Sequence, residues 1–291
     1  MSNLETLLKE YYHTDPTQPC VDRIVSYIEE TPSVARQDII FIKRLVRVAK
    51  GVMNNYLYRI RDLLPRVVAY CDEGIANTRH KHVTNYKQET LRNAESRLLG
   101  NKATICNQLF ELSGSIHWAI QGSQAALECA TMTTDAEPEF AMFHYNLVGQ
   151  INRRLCTLQP DTVFAKSWYT AHREAGKLAL TLCNPTDNPK GIYAPHYKQH
   201  AAHAFISAAA GALFVYRRML LKAWKKRVSE CCKKALDCSN GDGNYHNDKM
   251  ENVRLRAKSY IQQITISDLK SPRLKRHKEY QRARYSTGEE F

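Results

Sequence analysis

The stretch that decides the fold is ARQDIIFIKRLVRVAKGVMNNYLYRIRDLL, which runs from Ala35 to Leu64. Its apolar residues recur every three or four positions, which is the period of one face of an α-helix. They are Ile42, Leu45, Ala49, Met53, Tyr56, Ile60 and Leu64. A second face at the same spacing carries Lys43, Arg47, Lys50 and Asn54. The pattern predicts one long amphipathic helix with a basic face, which Pro65 ends or kinks.

Similar periods along the rest of the chain predict further helices. They cover residues 83–99, 102–130, 137–157, 161–182, 195–236 and 248–264, and Gly100 is expected to end the first of them. The whole sequence of 291 residues holds only 12 Gly and 10 Pro, too few for the many turns of an all-β protein. The predicted fold class is therefore all-α, a multi-helix bundle divided into two helical lobes.

The domain boundary is predicted near residue 100. The expected parts are an N-terminal helical bundle at 1–100, a C-terminal helical bundle at 101–267 and a loose basic tail at 268–291. A hydrophobic content of 43% is enough to build a core in each bundle. The charged content of 24% is ordinary for a globular chain and argues against overall disorder.

The charge balance indicates a polyanionic partner. Lys and Arg number 42 against 29 Asp and Glu, a formal net charge of +13. Such a surplus raises the local concentration of polyanions such as nucleic acids.

Three basic clusters stand out against this background. One run of cations is Lys43, Arg44, Arg47, Lys50, Arg59 and Arg61, and its first four residues, the first basic cluster, are the predicted binding positions. The second basic cluster is Arg217, Arg218, Lys222, Lys225 and Lys226. The tail cluster is Arg273, Lys275, Arg276 and Lys278. Aligned cations bind a phosphate backbone by releasing its condensed counterions. An Arg side chain can in addition donate two hydrogen bonds to one phosphate. The residues of the three basic clusters are the predicted nucleic-acid-binding positions.

A histidine-bearing segment suggests a different chemistry. His196 and His200 lie one helical turn apart, as the two histidines of a zinc-binding H-E-x-x-H motif do, but Tyr197 replaces the glutamate. A metal needs another ligand, and His172 is the nearest candidate. The other interpretation is close packing, because Ala and Gly follow at helical spacing. A second zinc hypothesis uses Cys231, Cys232, Cys238 and His246, although no C-x-x-C pair is present.

The predicted function is that of a nucleic-acid-binding structural protein, of the nucleoprotein, virion or chromatin-associated type. It would contact RNA or DNA mainly through the phosphate backbone and self-associate into a homo-oligomer. One alternative is a helical interaction module for an acidic protein partner, and another is a metal-dependent enzyme built on His196 and His200. No P-loop, G-x-G-x-x-G or G-x-S-x-G occurs, so we assign no catalytic residue and no cofactor.

The cysteines and the N-terminus predict a compartment. The sequence has nine Cys, an odd number without framework spacing, which is typical of reduced thiols. The opening MSNLETLLKEYYHTDP lacks the apolar core of a signal peptide. No segment reaches the about 18 apolar residues that a membrane span needs. We therefore expect a cytoplasmic or nuclear protein without a membrane partner.

Overall fold

The structure is a computed structural model that describes residues 6, 11, 18–31, 38–80, 86–183, 194–240 and 247–269. The regular elements in these ranges are helices, and the ranges contain no strand, so the predicted all-α class is confirmed. The helices are α1 Gln18–Glu30, α2 Ile39–Asn55, α3 Leu57–Ile60, α4 Leu64–Arg79, α5 Gln88–Ser113, α6 Ile116–Thr133, α7 Pro138–Leu158, α8 Thr162–Leu182, α9 Ala194–Met219, α10 Lys222–Ser239 and α11 Asn247–Leu269. None of those within the described ranges has the length and apolar character that crossing a bilayer requires.

The chain divides into two compact units, Met1–Ile151 and Asn152–Phe291. The sequence placed a boundary near residue 100, and this position lies inside α5, which continues without a break to Ser113. The division into independently folding domains stays a prediction. Of the proposed tail, residues 268 and 269 belong to α11, and residues 270–291 lie outside the described ranges.

The long helix predicted at 35–64 is shorter in the structure. Asp38 caps the start of α2, because its Oδ1 accepts hydrogen bonds from the amides of Ile40 at 2.8 Å and Phe41 at 3.1 Å. The predicted apolar face of α2 is buried, from Ile42 to Met53. The helix ends at Asn55 rather than Leu64, since Tyr56 leaves helical geometry with φ −139° and ψ 47°. Within the first unit, α2 packs against α4 and α5, and α5 also packs against α6.

Gly100 does not end a helix, contrary to the expectation from the sequence. A Cβ at this position would lie 2.6 Å from Nε2 of His144, so the glycine permits the close approach of the His144 ring to α5. The helix ends instead at Gly114, whose φ of 67° is left-handed. The Gly114 amide donates to the carbonyl of Phe110 at 2.8 Å. The predicted helix 102–130 is therefore divided between α5 and α6.

In the second unit, α9 lies between two partners, because it packs against both α8 and α10. At Gly211 a Cβ would lie 3.1 Å from the Tyr169 amide nitrogen and 3.2 Å from the Ala165 carbonyl oxygen, so the α8 and α9 backbones are close. Ala204, Ala208 and Ala212 are buried on the same helix. The small residues after the histidines thus serve packing.

The predicted helix 195–236 breaks at Leu220. This residue has a φ of 53°, which side-chain-bearing residues rarely adopt. The break lets α10 pack back against α9, and a single straight helix could not do so. No glycine or proline marks the site in the sequence, which is why the periodicity alone predicted one continuous helix.

Candidate nucleic-acid interface

A cleft of about 960 Å³ lies between α2 and α5 in the first unit. We call it the basic cleft. Its cations are Lys43, Arg44, Arg47, Lys50 and Arg97. Its amide side chains are Asn54, Asn55, Asn93 and Asn101, and Tyr11 and Gly51 complete the described lining. The described lining contains no carboxylate.

Helical spacing on two elements builds this cleft. The first basic cluster recurs every three or four residues, so it occupies one side of α2 while the apolar side of that helix is buried. The opposite wall of the cleft is formed by residues spaced four apart on α5, namely Asn93, Arg97 and Asn101. The Lys43 ammonium spans the two helices by donating to Asn93 Oδ1 at 3.3 Å. All four predicted positions of the first cluster therefore line one cavity.

Two lysines of the cleft have lowered pKa values. The pKa of Lys43 is lowered by partial burial and then by the neighbouring charges of Arg97, Arg44 and Arg47. The pKa of Lys50 is also lowered, chiefly by its burial. Groups that are held close with like charge and reduced hydration gain most from an anion between them.

Arg97 was not among the predicted site residues. Its Nη2 donates to Glu137 Oε2 at 2.5 Å, and its guanidinium lies over the Phe140 ring at 4.2 Å from the centroid. These contacts fix the guanidinium at the wall of the cleft. The signal that could have found Arg97 is its position between Asn93 and Asn101 at a spacing of four, which places three polar side chains on one side of α5.

A buried imidazole supports this wall. His144 is 2% exposed, and its Nδ1 lies 2.8 Å from the Phe140 carbonyl oxygen. Its pKa is lowered mainly by burial, and the charges of Lys50 and Arg97 lower it further. The ring is therefore neutral at pH 7 and adds no charge to the cleft.

The second basic cluster lies on a helix surface instead of a cleft. Lys222 and Lys226 are exposed on α10, and Trp224 on the opposite side is buried, as the periodicity predicted. Lys225 is half-buried between them. We call Lys222, Lys225 and Lys226 the α10 stripe. The Lys226 ammonium lies 3.9 Å from a carboxylate oxygen of Glu230, and both side chains are largely exposed.

The break at Leu220 separates the two arginines of the second cluster from the α10 stripe. Arg217 and Arg218 lie in the last turn of α9, and both are exposed. Arg217 Nη2 donates to Gln263 Oε1 at 2.7 Å, and the Arg218 guanidinium lies 4.9 Å from the centre of the Phe214 ring. The tail cluster, Arg273, Lys275, Arg276 and Lys278, lies outside the described residues.

A second cavity in the first unit has a different charge balance. It measures about 650 Å³ and includes Arg79, Arg92 and Glu95 in its lining. Arg79 donates to Glu95 Oε1 at 2.5 Å and to Glu128. The described lining of this cavity thus mixes cations with a carboxylate, whereas cations, amides, Tyr11 and Gly51 line the basic cleft.

The histidine candidates do not converge. His196 and His200 bring their Nε2 atoms within 2.8 Å of each other at the surface of α9. His172, the expected third ligand, is buried, and its Nδ1 lies 3.2 Å from the Trp168 carbonyl oxygen. Burial lowers its pKa to about 4. In the part of the chain that the structure describes, no group of three or more His, Cys, Asp and Glu could hold a metal ion.

The cysteine candidates for zinc are packing residues in α10. Cys231, Cys232 and Cys238 are buried, and burial raises the pKa of each thiol to about 11 or 12. A thiol with so high a pKa is protonated at pH 7. His246 lies outside the described residues.

Comparisons with known proteins give structural matches alone. No protein-family model matches the chain, and no curated protein sequence matches it. A structure described as "DHF58 filament" is 13% identical, with a TM-score of 0.43 over 78% of this chain and 100% of that chain. The de novo designed helical repeat protein DHR64 is 14% identical, with a TM-score of 0.43 over 75% of this chain and 99% of that chain.

A third solved structure comes from the computational design of self-assembling cyclic protein homooligomers. It is 10% identical, with a TM-score of 0.36 over 86% of this chain and 99% of that chain. At TM-scores below 0.5, none of the three carries an argument about this chain. The functional argument therefore rests on the cleft and on the charged surfaces.

Proposed function

We propose that the protein binds nucleic acid as a structural component and holds the phosphate backbone in the basic cleft. One observation carries the proposal. Five cations from two helices, Lys43, Arg44, Arg47, Lys50 and Arg97, line one cavity together with four amide side chains. The net charge of +13 favours the same class of partner.

Binding follows from the chemistry of the lining. A phosphate that enters displaces condensed counterions, and their release drives association. The planar guanidinium groups of Arg44 and Arg47 can each donate two hydrogen bonds to one phosphate, whereas Lys43 and Lys50 act as point charges. Because the cleft is concave, charges from both helices act together on a ligand inside it. The second basic cluster provides another surface of the same sign.

A structural role fits this type of contact. Cations that meet phosphates bind without regard to base sequence, and a packaging protein needs such tolerance. Coating a polymer requires many copies of the protein along it, so self-association belongs to the proposal. The metal-dependent enzyme has less support, since His172 does not join His196 and His200.

The proposed compartment is reducing, cytoplasmic or nuclear. Cys71, Cys106 and Cys129 are buried and form no disulfide. Burial raises the pKa of the Cys106 and Cys129 thiols to about 12. These cysteines are therefore small core residues, which is typical of proteins kept reduced.

The test measures salt-dependent affinity for a generic oligonucleotide. Fluorescence anisotropy of labelled 20-nucleotide RNA and DNA would be recorded with the full chain at 50, 100 and 200 mM NaCl. The logarithm of the association constant should fall linearly with the logarithm of the salt concentration, with a slope of roughly −0.7 for each phosphate contact on a single strand. The Arg44→Ala/Arg47→Ala variant should flatten that slope by about 1.4.

The control is Arg61→Ala, which removes one positive charge instead of two. Arg61 is an exposed arginine of the same unit, and it does not line the cleft. Its replacement should leave the affinity within about twofold of the unaltered chain, as expected for a long-range charge in salt. A salt-independent affinity would overturn the proposal. Equal binding of poly-glutamate would instead favour the acidic protein partner.

A further inference from the structure

We infer that the basic cleft accepts an unpaired strand of RNA or DNA and excludes a duplex. The inference rests on the proposed function, because it specifies which nucleic acid the cleft takes. Its basis is the narrow cross-section of the cleft together with the placement of cations and amides along it.

The dimensions come from the helix that forms one wall. The described lining on α2 runs from Lys43 to Asn55, which at 1.5 Å per residue is a length of about 18 Å. The centres of water molecules can occupy about 960 Å³ of the cleft, which over that length is a space roughly 8 Å across, or about 11 Å between atom surfaces. The major groove of B-DNA alone is about 12 Å wide. A duplex is therefore too wide to enter, whereas one sugar-phosphate chain fits.

The cations face the channel from two walls. Lys43, Arg44, Arg47 and Lys50 lie along α2, and Arg97 lies on α5. The Lys43 ammonium is close enough to the opposite wall to donate to Asn93 at 3.3 Å. A strand in the channel would thus meet positive charge on both sides. A duplex carries its phosphates on a convex surface and could reach only the rim.

Three of the four amides lie past the cations along the two helices, while Asn93 is bonded to Lys43. On α2 the residues that follow Lys50 in the lining are Gly51, Asn54 and Asn55, and on α5 Asn101 follows Arg97. An amide side chain both donates and accepts hydrogen bonds, as base edges and sugar hydroxyls do. Base edges of this kind are available on an unpaired strand and are already engaged in a duplex. Phosphates would therefore lie at the cationic part and a base or sugar at the amide part.

The described aromatic residue of the cleft does not provide a stacking surface. Tyr11 is 6% exposed, and its hydroxyl accepts a hydrogen bond from Asn55 Nδ2 at 3.1 Å. Its ring lies against Gly51, where a Cβ would be 3.0 Å from the Tyr11 ring. Recognition in the cleft should then depend on phosphates and polar edges, and it should differ little between purine and pyrimidine strands.

The experiment compares strands of equal length in the two forms. The full chain would be titrated into fluorescein-labelled 15-nucleotide single strands, RNA and DNA, and into the matching blunt duplexes, at 50 mM NaCl. We expect the single strands to bind at least about tenfold more tightly, although the duplex carries more charge. Arg44→Ala/Arg47→Ala should remove most of this preference, and Arg61→Ala should keep it.

A second variant tests the amide part separately. Asn54 is exposed and uncharged, so Asn54→Ala leaves the charge of the cleft unchanged. It should weaken single-strand binding about threefold and leave duplex binding unaltered, since one hydrogen bond is lost. Circular dichroism checks that each variant keeps its helical content.

The outcomes separate the two claims. If the duplex binds as tightly as the single strand or more tightly, with steep salt dependence, the inference fails and the proposed function stands. If neither form shows salt-dependent binding, the proposed function fails and the inference fails with it. Because the comparison of strand and duplex uses the unaltered chain, it remains decisive even if a variant does not fold.

Discussion

The basic cleft and the α10 stripe arise from the same pattern in the sequence but differ as surfaces. Both place cations three or four residues apart on a helix whose other side is buried. In the first unit the basic side of α2 meets a second polar helix, and a cavity of about 960 Å³ lies between them. In the second unit Lys222 and Lys226 are exposed to solvent. Periodicity therefore predicts which residues share a side of a helix, but not what that side faces.

The charges of the cleft and of the α10 stripe should therefore differ in how much they contribute to binding. Lys43 and Lys50 are half-buried, and burial lowers the pKa of each. The side chain of Lys226 is 80% exposed and lies 3.9 Å from Glu230. Isolated exposed charges are screened by water and salt, whereas several cations that line one concave site act together on a ligand. We expect the cleft to dominate binding.

Reversing charges in the basic cleft or on the α10 stripe should give the largest difference in binding between the two surfaces. Arg44→Glu/Arg47→Glu should weaken binding of a single strand on the order of 1000-fold at 50 mM NaCl, because two contacts are lost and two repulsions are added. Lys222→Glu/Lys226→Glu makes the same change of net charge on the α10 stripe, and it should weaken binding less than about tenfold. Fluorescence anisotropy measures both. An equal loss in the two variants would end the distinction between the surfaces.

Each of the two units contains a buried histidine that should make the free energy of unfolding depend on pH. His144 and His172 each have Nδ1 near the carbonyl four residues earlier, and burial lowers the pKa of both rings. The folded chain keeps His172 neutral down to a pKa of about 4, whereas the unfolded chain takes up this proton near 6.5. Protons therefore favour the unfolded state, and the free energy of unfolding should fall by about 3 kcal/mol as the pH drops from 6.5 to 4.

Urea denaturation at several pH values measures this loss. His172→Phe should remove most of it in the second unit, because a phenyl ring takes up no proton. His144→Phe is the matched change beneath the cleft, and it should flatten the acid response of the first unit. If both variants retain the full acid loss of the unaltered chain, the lowered pKa values do not control stability.

The close packing beneath the cleft gives a smaller effect. Gly100→Ala introduces a Cβ that would lie 2.6 Å from His144 Nε2, so the ring must move. We expect a loss of about 2 kcal/mol in the free energy of unfolding, as for other overpacked sites. Gly100→Ala combined with His144→Ala should cost less than the sum of the two single changes, because the smaller side chain removes the clash. Strict additivity in urea denaturation would contradict this account of Gly100.

The smallest effect is expected on the α10 stripe. Lys226→Ala removes the contact with Glu230 at 3.9 Å. Since both side chains are exposed, the free energy of unfolding should change by less than about 0.5 kcal/mol. Thermal denaturation of this variant should superimpose on that of the unaltered chain. A loss as large as that of Gly100→Ala would show that this ion pair supports the fold.

Some errors of the sequence analysis have a common physical origin. Gly100 was expected to end a helix because glycine is a weak helix former, yet it is retained inside α5 where the His144 ring must come close. Leu220 carries no breaking signal, yet the chain turns there so that α10 packs on α9. In both cases a contact between residues distant in sequence overrides the local preference.

By itself, the sequence determined the helical class, the buried side of α2 and the grouping of Lys43, Arg44, Arg47 and Lys50. These properties depend on neighbours three or four residues away, and one helical turn brings such neighbours together. Only the tertiary structure decided that Arg97 and four asparagines of two helices join that group in a cleft, and that His172 stays apart from His196 and His200. Those contacts join residues far apart along the chain, and they form only when whole helices pack.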